Sequence, residues 1–143
     1  MIHVWRPPLT EELWNFCLPL LERATDFGMW TTDHYLASLE SGHMILLLAD
    51  ECADIDDPEA ENLGCFVVEF RETAKGRVLW LEAVGGHDFD TAWPACRDKM
   101  DKIAAENDCV FIELQGRPGF LRKCKGFDHT YVTMRRPVHV QRQ

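Results

Sequence analysis

Apolar and polar residues recur at two different periods along the chain, and the places where the period changes mark out its elements. Ile2-His3-Val4-Trp5 alternates and stops at Pro7-Pro8, which predicts a short strand closed by prolines. Thr10 stands as an N-cap, with Glu11 and Glu12 at the positive end of the helix that follows. Leu13, Phe16, Cys17, Leu20, Leu21 and Ala24 repeat at helical spacing. Pro19 inside that pattern should kink or split the helix, and Gly28 should end it. A second helix starts at Thr31 or Thr32, carries Tyr35, Leu36 and Leu39 on its apolar face, and closes at Gly42. His43 to Ala49 reads as a buried strand. Leu63 to Phe70 and Arg77 to Val84, joined by the turn Thr73-Ala74-Lys75-Gly76, read as an antiparallel hairpin. After the break at Gly85-Gly86-His87-Asp88 the pattern becomes helical from Phe89 or Asp90 to Asn107. Thr91 is a candidate cap there, Pro94 falls in the first turn, and Trp93, Cys96, Met100, Ile103 and Ala104 line one face. Cys109 to Leu114 is a compact apolar strand, Phe120 to Lys125 a short helix stopped by Gly126, and His129 to Met134 a last strand. The expected order is β-α-α-β-β-β-α-β-α-β.

Composition narrows the class. A chain of 143 residues with 46% hydrophobic residues, five Trp and eight Phe is too apolar to be disordered and long enough to bury a core as one domain, 1–143. Its longest apolar run, Met44 to Ala49, is far short of the ~20 residues of a membrane helix. No basic segment followed by an apolar stretch opens the chain, so the expectation is a cytoplasmic protein. The six cysteines are scattered, with no Cys-x-x-Cys pair, which favours reduced, buried thiols over disulfides or a zinc site. The acidic stretch Asp50 to Glu61 reads as a solvated loop, because it lacks the central Gly and terminal Glu of a calcium loop.

Charge is unevenly spread. The net −9 divides into −15 over the first 116 residues and +6 from Arg117 onward. The acidic bulk argues against nucleic acid as a partner, since that affinity comes from basic side chains displacing counterions. The basic end leaves a local anion site open, and Arg117, Arg122, Lys123 and Lys125 cluster in it. They read equally as cofactor contacts, a solvated helix face or a docking patch for an acidic partner.

Three segments carry a family resemblance. The strand Val78-Leu79-Trp80-Leu81-Glu82-Ala83-Val84 runs into a glycine turn and a long helix. The strand Val110 to Leu114 follows that helix directly. The segment Gly116-Arg117-Pro118-Gly119-Phe120 leads to a short helix ending in Gly126-Phe127. Across nearly the whole chain this order resembles the GCN5-related N-acetyltransferase (GNAT) family, and the Gly-Arg-Pro-Gly-aromatic turn is similar to small GNAT-like proteins of tailed phages. The resemblance implies an α+β fold with a mixed, mostly antiparallel sheet flanked by helices. It implies acetyl-CoA or another acyl-CoA as cofactor and an amine as substrate. In the family the cofactor's diphosphate meets backbone N–H groups at the start of the long helix, where the helix dipole and close-approaching glycines favour an anion. The matching residues are Val84, Gly85, Gly86, His87 and Asp88, with Arg117, Arg122 and Lys123 as supplementary cations. This loop lacks the family's leading Arg or Gln and places Asp88 and Asp90 where the diphosphate would come. A competing reading has the glycines only turning the chain and Asp88 or Asp90 capping the helix. The family's thiolate-protonating Tyr is replaced by Arg122, which holds its proton too tightly to act as an acid near neutral pH. Cys124 and Tyr131 are the substitutes nearby. Glu82, expected on one strand face with Trp80 and Val84, is the candidate base, against the alternative of a solvent-facing residue. The second functional expectation is a catalytically silent GNAT-like module, phage-encoded and located in host cytoplasm or virion, that binds a protein partner or pairs with a second copy.

Overall fold

The computed structural model describes residues 2–25, 30–51, 62–86, 88–116, 118–128, 130 and 134–138. Among these described residues nine elements follow in the order β1 (His3–Trp5), α1 (Glu11–Thr25), α2 (Thr32–Glu40), β2 (Ile45–Asp50), β3 (Asn62–Thr73), β4 (Gly76–Gly85), α3 (Phe89–Glu106), β5 (Phe111–Leu114) and α4 (Pro118–Leu121). The strands form one sheet in the order β1-β2-β3-β4-β5. The first three pairings are antiparallel, and β4 with β5 is parallel, because α3 crosses over between them.

Helices cover both faces. On one side α3 lays Ala92, Trp93, Cys96, Met100 and Ala104 onto Leu47, Phe66, Val68, Leu79 and Leu81. On the other, α1 and α2 bury Leu13, Cys17, Leu21 and Tyr35 against Leu46, Leu48, Cys65, Val67 and Ala83. The alternation of apolar residues in β2 and β3 therefore feeds two cores rather than one, as expected of a sheet covered on both faces. Cys17, Cys65, Cys96, Cys109 and Cys124 are free thiols. Cys52 and the acidic stretch from 52 to 61 lie outside the described residues.

Several elements differ from their sequence patterns. Helix α1 continues through Pro19 without splitting, since its buried stripe is held on both sides of the proline and Pro19 itself faces solvent. Thr10 caps it as expected, accepting a hydrogen bond from the Leu13 amide, whereas Gly28 lies outside the described residues. Asp50 belongs to the end of β2 rather than to a solvated loop. It is buried and accepts a hydrogen bond from the Trp5 indole at 2.9 Å, which gives the carboxylate a partner. Helix α3 is capped by Asp88, whose Oδ1 accepts from the Thr91 amide, so Thr91 is the receiving end of the cap. That start places Pro94 in the second turn instead of the first. The last helix is shorter and earlier than its pattern. It ends at Leu121, and successive turns carry the chain to Gly126, which adopts φ +87°. Of the expected last strand, His129 and residues 131–133 lie outside the described residues, and Thr130 and Met134 belong to no strand.

Candidate active site

The hairpin β3–β4 places four side chains with polar or charged ends on one sheet face. The faces are assigned by their neighbours: Val67 and Ala83 pack toward α1 and α2, Val68 and Leu81 toward α3. Glu69, Arg71 and Trp80 continue the α1/α2 face by simple alternation. Glu82 joins them two residues on from Trp80, and the strand is irregular just beyond it. Val67 pairs with Ala83, but the next residue, Val68, pairs with Leu81. Glu82 is thus the extra residue of a β-bulge. The bulge puts Glu82 and Ala83 toward the same side and sends Val84 to the α3 side, where it packs against that core. The expected shared face of Trp80, Glu82 and Val84 is broken at Val84 for this reason.

Glu82 is not a solvent-facing residue. Its side chain is 5% exposed and borders a cavity of about 250 Å³ lined by Trp30, Tyr35, Arg71, Trp80 and Gln115. The Arg71 guanidinium lies 4.1 Å over the Trp80 ring and reaches two carboxylates, Nε to Glu69 and Nη2 to Glu82, both at 2.5 Å. His43 Nε2 stands 3.2 Å from the other oxygen of Glu69. Two buried carboxylates therefore share one guanidinium, and they cannot ionise equally. Burial, then the hydrogen bond and negative charge of Glu69, push the Glu82 carboxyl up to about 7, with Arg71 opposing. Burial also works to raise Glu69. There the hydrogen bond from Glu82, the bond and charge of Arg71 and the charge of His43 prevail and hold it below the usual range. Burial, followed by the charge of Glu82, raises the Tyr35 hydroxyl. Sequence reasoning found Glu82 but missed Glu69, Arg71, Tyr35 and Trp30. The alternation Glu69-x-Arg71 opposite Trp80-x-Glu82 was the available signal, and the register that joins them is a tertiary fact.

Beside this cavity the sheet opens. The parallel ladder ends at Leu81 opposite Leu114, while β4 runs on to Gly85. Glu82 to Gly85 have no strand partner on that side among the described residues. Their backbone groups form an edge leading from Glu82 to the start of α3.

The start of α3 is more crowded. Gly86 adopts φ +145°, which favours glycine. A Cβ on Gly85 would stand 2.3 Å from the Leu20 carbonyl oxygen, and one on Gly86 would stand 2.4 Å from that of Leu63. Both glycines are thus required by the chain's own packing. The Asp88 carboxylate takes the Thr91 amide, and Asp90 pairs with Lys123 Nζ at 2.7 Å. Phe89, Trp93, Phe120 and Phe127 stack around this point and hold α4 against α3. Arg122 is exposed on the turn after α4. His87, Arg117 and Tyr131 lie outside the described residues. Cys124 is buried, its thiol donates to the Phe120 carbonyl at 3.5 Å, and burial raises its pKa. Among the described residues no cluster of His, Cys, Asp and Glu could hold a metal ion, and no helix is long and apolar enough to cross a membrane.

The fold is shared with solved acetyltransferases. An acetyltransferase from Trypanosoma brucei superposes with a TM-score of 0.63 at 17% identity, covering 96% of this chain and 100% of the other. Glucosamine-6-phosphate N-acetyltransferase from Arabidopsis thaliana gives 0.63 at 14%, covering 95% and 97%. The chain has the GNAT fold. An aminoglycoside N-acetyltransferase solved in complex with CoA is a third structure of similar fold, with a TM-score of 0.64 at 12% identity, covering 94% and 92%. No protein-family model and no curated protein matches the sequence. The GNAT fold is therefore carried here by topology at identities far below those that preserve a substrate.

Proposed function

We propose that the protein transfers an acyl group from acyl-CoA to an amine, with Glu82 as general base. The observation that carries this reading is a buried carboxyl poised near neutrality, in a cavity, where the parting of β4 and β5 leaves a backbone edge open. A base with a pKa near the working pH balances being ionised against holding a proton. The edge fits the extended amide arm of an acyl-CoA, with Val84, Gly85, Gly86 and Asp88 supplying backbone groups. The start of α3 fits a diphosphate less well, since two carboxylates stand there, and Arg122 and Lys123 are the cations that would hold it. His87 and Arg117 complete the expected set from sequence.

Bound acyl-CoA would supply an acyl group activated as a thioester. Ionised Glu82 takes a proton from the ammonium of the acceptor, directly or through water, and so frees the nitrogen lone pair. That nitrogen forms the new C–N bond as the C–S bond breaks. The ammonium sheds two protons in total: one passes through Glu82 to solvent, and the other ends on the departing sulfur. Arg122 is too basic to deliver that proton, and Cys124 has its own committed to Phe120, which leaves Tyr131, named from the sequence, or water as the donor.

Crowding at the start of α3 favours a second reading, a non-catalytic GNAT-fold interaction module, phage-encoded as the sequence resemblance implies. Calorimetric titration with acetyl-CoA and CoA separates the two. Saturable binding in the micromolar range supports transfer, and no binding at millimolar ligand sinks it.

A further inference from the structure

Two carboxylates and one arginine meet beneath the cavity, with His43 against the outer carboxylate. Glu69 and Glu82 are both buried, and Arg71 is the single arginine between them. His43 sits on Glu69, on the side away from Arg71, and the cavity opens toward Glu82. When Glu82 ionises, the groups that face it are Glu69, Arg71 and the Tyr35 hydroxyl, and their formal sum with Glu82 is negative. A buried carboxylate that must share its cation with another is costly, so the site attracts a further one. The walls suit a cation as well. Arg71 already lies face-on over Trp80 at 4.1 Å, in the geometry by which rings hold cations. Trp30 stands at the rim, 43% exposed, with its ring backed by His34 at 4.1 Å, and Tyr35 closes the floor.

We propose that the acceptor is a primary alkylammonium without anionic groups, its cationic head seated between Glu82 and the rings of Trp30 and Tyr35, beside the Arg71–Trp80 pair. The proposal rests on the acyl-transfer reading only for what happens to the amine afterwards. Glu82 in the lining, with Glu69 across Arg71 from it, repels a phosphorylated or carboxylated acceptor, and a neutral one leaves Glu82 sharing Arg71 with Glu69. The aromatic walls accept the methylene stem of an alkylamine, which contributes by area. At about 250 Å³ the cavity admits a chain of a few carbons.

Binding measured with no acyl donor present tests this. The probes are 1,4-diaminobutane, butylamine, 1-butanol and phosphoethanolamine, titrated by calorimetry at pH 8, where Glu82 is mostly ionised. Both alkylamines should bind saturably and at least tenfold more tightly than the alcohol and the phosphorylated amine. Trp30→Ala, at an exposed position that leaves folding intact, should weaken the amines about three- to fivefold. Equal binding of phosphoethanolamine or butanol, no saturable amine binding, or no effect of Trp30→Ala would each overturn the assignment. Amine binding without any acyl transfer would sink the enzyme reading and leave this site standing. Efficient transfer to phosphoethanolamine would do the reverse.

Discussion

At Glu82 the same burial that raises its carboxyl to about 7 sets two measurable consequences. The rate should rise with pH as Glu82 ionises through that value. Glu82→Gln should remove this limb and lower kcat by roughly 10²-fold or more, as loss of a general base does. Stability runs the opposite way. In the unfolded chain a glutamate titrates near ~4.3. The folded state thus binds this proton more tightly, and its contribution is present at low pH and lost as pH rises from that value toward 7. Thermal melts from pH 5 to 8 should show that decline in the wild type and a shallower one in Glu82→Gln. Gly85 is the second residue whose role is geometric. Gly85→Ala drives a Cβ to 2.3 Å from the Leu20 carbonyl, so α1 or β4 must shift. A loss of about 1–3 kcal/mol in denaturant unfolding is expected.

Among elements, α3 shows how a capped helix can compete with a ligand. Asp88 satisfies the Thr91 amide, and Asp90 holds Lys123 at 2.7 Å, so carboxylates already occupy the positive end of the helix. Asp90→Asn removes one of them and releases Lys123. Acetyl-CoA should then bind roughly two- to fivefold more tightly, with a stronger salt dependence. Asp88→Ala should cost about 1 kcal/mol of stability through the lost cap. If Asp90→Asn leaves the acetyl-CoA affinity unchanged, the diphosphate is not held at this helix start. The hairpin β3–β4 was legible in the sequence because its alternation and Thr73-to-Gly76 turn are local. The bulge at Glu82 was not, because nothing in a single strand tells which residue its partner will leave unpaired. Pro19 and the short α4 misled for a related reason. Tertiary packing held one helix through its proline and ended the other before its glycine.

For the whole molecule, the acyl-transfer proposal predicts that a donor bound only to the native state raises its melting temperature. With acetyl-CoA at ~100 times its Kd the gain is about 2.7 kcal/mol, readable by differential scanning fluorimetry, and no shift at millimolar donor would contradict transfer. Net charge of −9 does not describe the site, where the balance turns on Glu69, Glu82, Arg71 and His43. The sequence alone determined the kinds and order of the elements up to α4, the burial of β2 and the thiol character of the five described cysteines, because periodicity, turn residues and composition act over a few neighbours. It also singled out Glu82. Only the tertiary structure decided that Glu82 lies on a bulge, that Arg71 and Glu69 stand against it, and that Gly85 and Gly86 are packed against the chain's own carbonyls. Those facts depend on register and on close approach between segments far apart in sequence, and electrostatics in a buried cluster follows distance in space rather than spacing along the chain.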